Sequence, residues 1–245
     1  MARIETKKLI SYIENNINEF NEARLNKIGE LNLNDILLRK NPYLFKAKNI
    51  LTSQDLIQNL VDAYLSSQEE TMFGTFLEGL AIYVCQIVHN GKKSAAEGID
   101  LEFEKDSIKY IVTVKSGPNW GNSSQIVRMR DNFRKAKRIL GTNAKKINVV
   151  AVNGCCYGRV NKIDKGEYLK LAGQQFWELI SNEKEMYLRF IEPLDYIAKE
   201  RNDLYIQKYS ALLNKFTQQF SNEFCVNGII DWKKLVKFNS GKEKI

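Results

Sequence analysis

The residues of this chain whose types and spacing could do chemistry lie in and just before the stretch GIDLEFEKDSIKYIVTVKSGPNW, residues 98–120. Asp100 stands near its start and Lys115 close to its end, with Thr113 and Val114 before the lysine. Upstream, Glu78 sits inside the apolar run FGTFLEGLAI, residues 73–82. Two carboxylates can hold a hard divalent cation such as magnesium, and a lysine beside them can orient or help deprotonate a water that attacks phosphorus. That is the chemistry of phosphodiester hydrolysis.

Each residue also has an ordinary reading. Lys115 is a solvated strand end, Asp100 opens a turn, and Glu78 shares an exposed helix stripe with Glu70. Against this, a carboxylate among Phe73, Leu77, Ala81 and Ile82 loses hydration unless something compensates its charge. Glu78 therefore calls for a partner.

Positioning these residues requires particular elements. Ile99, Leu101 and Phe103 alternate with Asp100, Glu102 and Glu104; beyond a turn at Lys105-Asp106-Ser107, Ile108, Tyr110, Val112 and Val114 alternate with Lys109, Ile111, Thr113 and Lys115. Period two predicts a hairpin with Thr113 and Lys115 on one face. The run 69–88 predicts a buried helix carrying Glu78, and 53–65 a separate helix before it. Residues 147–152 form a continuous apolar run suited to a sheet covered on both sides. Residues 3–30 predict a long amphipathic helix, and Asn34 and Asp35 a short one that Asn41-Pro42 stops. The chain after residue 174 is again of helical period, with Pro193 marking a boundary or kink, and NGIIDWKKLVKF closing it on a turn and a short helix.

A second basic element follows the lysine. Between Gln125 and Ile147 stand Arg128, Arg130, Arg134, Lys135, Lys137, Arg138, Lys145 and Lys146 against one acid, Asp131. With Ile126, Met129, Phe133, Ala136 and Leu140 at spacings of three and four, this predicts a helix with one buried stripe and a cationic outer face, ending at Gly141 and Asn143. Ser123 or Ser124 is a candidate N-cap. The preceding loop supplies donors and acceptors at Ser116, Asn119, Asn122, Ser123, Ser124 and Gln125, with the ring of Trp120; Asn and Gln suit base edges, Ser suits phosphate or base. The same loop also reads as a polar turn whose Trp120 packs on the core.

Composition sets limits. The formal charge is +8 in 245 residues, with 44% hydrophobic content and three prolines. This suits one substantial core and a polyanionic partner. Four cysteines, two of them adjacent at Cys155 and Cys156, lack metal or redox spacing and read as reduced thiols. No uninterrupted apolar run has the length of a membrane span and the N-terminus lacks an apolar leader pattern, so a soluble cytoplasmic protein is expected. A single histidine, His89, excludes histidine-dependent nuclease centres and reads as structural or exposed. No phosphate-binding glycine loop is present.

Taken together, Glu78, Asp100 and the Thr113-Val114-Lys115 strand end resemble the PD-(D/E)xK nuclease superfamily, with GID in the place of PD and TVK in that of (D/E)xK. KSGPNWGNSSQI (115–126), FGTFLEGLAI (73–82) and QQFWELI (174–180) resemble more specifically type II restriction endonucleases, close to the group cutting GGNCC-type interrupted palindromes. The resemblance covers roughly residues 41–190. Thr113 departs from the superfamily, occupying the place of the second metal-binding carboxylate. The resemblance implies that Glu78 migrates from its helix to complete the metal shell, with Asp100, Glu78 and the Val114 carbonyl holding Mg2+ and Lys115 at the scissile phosphate. The other account of Thr113 is an inactive site on a DNA-binding protein.

The expectation is a single nuclease domain over 1–245, comprising a helical N-terminal segment (1–66), an α/β catalytic core (67–180) and a helical C-terminal segment (181–245). Its fold class is α/β, a restriction-endonuclease-like core with a mixed central sheet flanked by helices. The implied activity is Mg2+-dependent, sequence-specific cleavage of double-stranded DNA to 5′-phosphate ends by a homodimer matching the two-fold symmetry of a palindrome, with a cognate DNA methyltransferase as genetic partner. The alternative within enzymes is a structure-selective or repair nuclease of the same fold. The DNA-contacting set is Ser116, Asn119, Trp120, Asn122, Ser123, Ser124, Gln125, Arg128, Arg130 and Arg134.

Overall fold

Alternation along 99–115 builds the expected hairpin, β2 (Leu101–Lys105) and β3 (Ile108–Lys115), whose register runs from Lys105↔Ile108 to Leu101↔Val112. Its two loop residues, Asp106 at φ 51° and Ser107 at φ 61°, adopt the left-handed geometry that a two-residue turn needs to match strand twist. The computed structural model describes the backbone of residues 3–141 and 148–242. Asn143, Lys145, Lys146 and Ile147, assigned above to the end of the basic helix and the strand after it, lie outside the described residues.

The sheet has five strands in the order β1-β2-β3-β4-β5, adding β1 (Lys92–Lys93), β4 (Asn148–Cys155) and β5 (Leu169–Ala172). β1, β2 and β3 pair antiparallel, whereas β3, β4 and β5 pair parallel. The sheet is therefore mixed, as expected of this fold class. β4 is buried continuously from Ala151 to Cys155, in keeping with a strand covered on both faces. Between β3 and β4 runs α5 (Ser123–Gly141). Met129, Phe133 and Ala136, one helical stripe, pack with Ile99, Ile111 and Ala151 into one core cluster, so the amphipathic reading of this helix holds.

The chain divides into two compact units, the first comprising Met1–Asn18 and Phe73–Ile197, the second Glu19–Met72 and Ala198–Ile245. The first holds the five-stranded sheet and α6 (Gln174–Ser181). Within the second, Leu56, Ile57, Leu60 and Val61 form a core with Ile36, Leu37, Phe216, Phe220 and Phe224. The helices belonging wholly to it are α2 (Leu33–Arg39), α3 (Pro42–Ala47) and α8 (Trp232–Ser240), with a small hairpin of β6 (Cys225–Val226) and β7 (Ile229–Ile230). Asn41-Pro42 begins α3 instead of only stopping what precedes it: Asn41 accepts from the N–H groups of Tyr43 and Leu44, and proline takes the first position, where its missing N–H costs nothing.

The division falls inside three helices, α1 (Thr6–Gly29), α4 (Ser53–His89) and α7 (Ile191–Phe224). The two helices expected over 53–65 and 69–88 are one helix of 37 residues, because the polar stretch Ser66-Ser67-Gln68 contains neither Gly nor Pro and so has nothing that stops a helix. By length and composition alone α4 could cross a membrane. Its apolar residues Leu56, Ile57, Leu60, Val61, Leu80, Ala81, Val84 and Cys85 are instead buried in the protein. Pro193 falls in the first turn of α7, at the boundary expected of it. His89 is half-buried and stacks on Phe103 at 5.1 Å between ring centroids. All four cysteines are free thiols, and Cys85, Cys155 and Cys156 are buried.

Candidate active site

The antiparallel register places the residue preceding β2 beside the end of β3. Asp100 donates its own N–H to the Val112 carbonyl at 2.9 Å. Its Oδ2 accepts from the Val114 N–H at 2.7 Å and from the Thr113 hydroxyl at 3.1 Å, and the Lys115 ammonium lies 3.9 Å from the same oxygen. Oδ1 receives no hydrogen bond among the described residues. One carboxylate oxygen is thus fully occupied in holding the side chain, leaving the other for an incoming group. Thr113, only 2% exposed, supplies a donor where a second carboxylate would have repelled Asp100.

Val114 offers a further oxygen. Both backbone groups of a strand residue face the same neighbour, so its carbonyl lies on the Asp100 side of β3, to which its N–H already points. Its neighbour Lys115 faces the other way: the Lys115 carbonyl accepts from the Cys156 N–H at 2.8 Å.

Glu78 reaches this edge from α4. A Cβ on Gly74 would come within 2.5 Å of the Ser116 Oγ, so the helix runs directly against the residue after Lys115. Four residues on, Glu78 occupies the same helix face. Burial, and after it the charge of Asp100, pushes the Glu78 carboxyl above the usual carboxylate range, while Lys93 and Lys115 pull it back. Two acids strained against one another suit a small divalent cation. Magnesium takes oxygen ligands, using one or two carboxylates with water and substrate phosphate completing the shell. Among the described residues no group of three or more His, Cys, Asp or Glu gathers, and the donor set here is all oxygen.

Lys115 is held on two sides. Its ammonium lies 5.2 Å from the centroid of the Trp120 ring, near enough for a cation–π attraction. The Trp120 Nε1 donates to the buried Asn153 Oδ1 at 3.0 Å, and the ring packs against the cluster of Met129 and Phe133. The ring is half-buried, packing on the core on one side and flanking Lys115 on the other. Sequence reasoning passed over Asn153, although a polar residue inside the apolar strand NVVAVNGC signals a committed partner.

The helix cap lies on Asn122, not on Ser123 or Ser124. Asn122 and Gln125 bond reciprocally, the Gln125 N–H to Asn122 Oδ1 at 3.1 Å and the Asn122 N–H to Gln125 Oε1 at 2.9 Å. This is a capping box. Ser123 and Ser124, in the first turn, and Asn119, in the loop, are exposed, while Ser116 is half-buried.

Three cations of α5 carry acid partners at the surface. Arg128 pairs with Glu97 at 3.0 Å, Arg130 with Glu167 at 2.6 Å, and Arg134 with Glu167 and, at 2.9 Å, with Asp131. Glu97 and Glu167 lie some thirty residues away in sequence, so counting charges within the helix overlooked them.

The family model for type II restriction endonuclease EcoO109I matches residues 7–202 of the chain. No curated protein matches. The matched span contains the sheet, Glu78, Asp100 and Lys115.

Proposed function

Because the chain belongs to the EcoO109I family of type II restriction endonucleases, and is therefore a site-specific deoxyribonuclease, we propose that it cuts both strands of double-stranded DNA at a short GGNCC-like palindrome. In this reading it requires Mg2+, acts as a homodimer in the cytoplasm, leaves 5′-phosphate ends, and has a cognate methyltransferase protecting host sites. The observation that carries the reading is the convergence of Asp100, Lys115 and the half-buried Glu78 at one end of β3.

Asp100, through its unengaged Oδ1, Glu78 and the Val114 carbonyl would hold Mg2+. The ion, when bound, neutralises charge at the scissile phosphate and favours ionisation of water. Thr113 and the Val114 N–H keep the Asp100 carboxylate from turning. The Lys115 ammonium, steadied by Trp120, stabilises the charge that develops on the phosphate oxygens and orients the attacking water. Ser116, Asn119, Ser123 and Ser124 line the approach of the backbone; exposed hydroxyls and N–H groups at a helix N-terminus suit phosphate.

The test is to incubate the protein with unmethylated phage DNA in Mg2+ or EDTA. Discrete Mg2+-dependent fragments are expected, whose sequenced ends give the site and stagger. A smear would instead indicate a structure-selective or repair nuclease. Lys115→Ala, Asp100→Ala and Glu78→Ala should each lower the cleavage rate by at least about a hundredfold while gel-shift affinity for the same site in EDTA stays within a few-fold. Unimpaired cleavage by Glu78→Ala would remove this residue from the metal shell.

A further inference from the structure

Arg128, Arg130 and Arg134 each carry an acid partner, so an arginine without one, close to Lys115, is a further candidate for sequence recognition. β4 supplies one. It runs parallel to β3 with Lys115 opposite Cys155, so the segment leaving β4 emerges beside the residues that follow Lys115. The pairing continues past the strand ends, with the Cys156 N–H on the Lys115 carbonyl and the Tyr157 N–H on the Ser116 carbonyl at 2.9 Å.

This segment is clamped. Gly158, at φ +88°, lies so close to Pro118 that a Cβ would meet the proline ring at 2.5 Å; on its other side, a Cβ on Gly173 would meet the Gly158 carbonyl at 2.7 Å. Lys170 Nζ, from β5, donates to the Pro118 carbonyl at 2.7 Å, holding the loop after β3 in place. Arg159 and Asn161 are exposed just beyond the clamp. They line a cleft of about 700 Å³ together with Gln174 and Gln175. No ion pair or hydrogen bond engages the Arg159 guanidinium among the described residues. The rest of the cleft is largely apolar, with Tyr157 and Tyr187 among its lining; the arginine and the three amides at its rim are the side-chain types that read base edges.

We propose that the loop Tyr157–Asn161 is the base-reading element of this endonuclease, with Arg159 donating in the major groove to guanine of the recognition site. The inference rests on the reading above of the chain as a cutter of a GC-rich site. Arg159 is two residues from Tyr157, a span of at most about 7 Å. That is comparable with the major-groove depth of about 8.5 Å, the separation expected between a residue beside the scissile phosphate and one at the base edges. Because the segment is held at Gly158, its backbone is ordered before binding, and the ordering cost is confined to the side chains. The double-stranded DNA substrate, not a protein, is the occupant that the unpaired cation and the adjoining Lys115 edge call for.

The experiment compares wild type, Arg159→Ala and Arg159→Lys on duplexes holding the site mapped from fragment ends, and on duplexes with single base-pair changes. Affinity is read in EDTA across a salt series and cleavage in Mg2+. Arg159→Ala should weaken binding to the mapped site about ten- to a hundredfold and flatten discrimination at one guanine position. Arg159→Lys, keeping the charge but not the fork, should lose the same discrimination. Equal weakening of all duplexes by Arg159→Ala, with Arg159→Lys like wild type, would make Arg159 a phosphate contact and overturn the proposal; so would unchanged binding and discrimination by both variants. If wild type itself cleaves no DNA, the underlying functional reading fails instead.

Discussion

At the scale of single residues, Glu78 shows how the arrangement proposed for catalysis strains the fold. Its carboxyl is raised above the ordinary 4.5 first by burial and then by Asp100. A group whose folded pKa is raised favours folding fully below its unfolded value and loses that contribution as pH rises through the folded one. The metal-free protein should therefore lose stability as pH climbs from about 4.5, and Glu78→Gln should remove that slope. Thermal melts in EDTA are expected to show the variant a few degrees more stable than wild type at pH 8 and no more stable at pH 4, although it no longer cleaves. A variant less stable at pH 8 would mean that the ionised carboxylate is satisfied within the protein. Glu78, Asp100 and Lys115 were legible in the sequence because two of them share one hairpin, where alternation converts spacing into geometry, and the third is a charge in an apolar run. Thr113 was legible only as a departure; its hydroxyl on Asp100 emerges from the fold. The Asn153 to Trp120 hydrogen bond spans 33 residues, beyond any local pattern.

At the scale of elements, the hairpin and the basic helix were recovered because periodicity and turn chemistry act locally. The capping box of Asn122 and Gln125 carried its own signature in the spacing of three and was passed over in favour of serines beside it. What local pattern cannot supply is which distant acids pair with the cations of a helix, as Glu97 and Glu167 do with arginines of α5. The hairpin offers a clean test of element-level reasoning. Asp106 tolerates a left-handed backbone, whereas Ser107 at φ 61° bears a steric cost that glycine would not. Ser107→Gly should stabilise the protein by about 0.5–1 kcal/mol, net of the greater freedom glycine gives the unfolded chain. This turn joins Lys105 to Ile108, at the end of β3 opposite Lys115, so the cleavage rate should be unchanged. Denaturant titration and a cleavage assay on one preparation check both; a loss of stability would show that the Ser107 side chain contributes more than its backbone conformation costs.

At the scale of the whole molecule, the question is how one chain cuts two strands. A formal charge of +8 draws the protein to any duplex, and that attraction weakens steeply with salt, but charge does not duplicate the edge proposed for catalysis. Each chain brings Asp100 and Lys115 together once, at the end of one β3. The strands of a palindrome are related by a two-fold axis, and a closed two-chain assembly with the same axis presents one edge to each strand. Mixed subunits separate this from sequential attack by single chains. Wild type and Lys115→Ala, carrying different affinity tags and co-expressed, should be recoverable through both tags in succession. On a supercoiled plasmid with one recognition site, that mixed species should yield open circles, since one of its two edges is disabled, whereas wild type yields linear DNA. Failure to recover a doubly tagged species, or linear product from it at about half the wild-type rate, would mean that one chain serves both strands in turn. Open circles would tie each Lys115 to its own strand and make the second chain a structural requirement of double-strand cleavage.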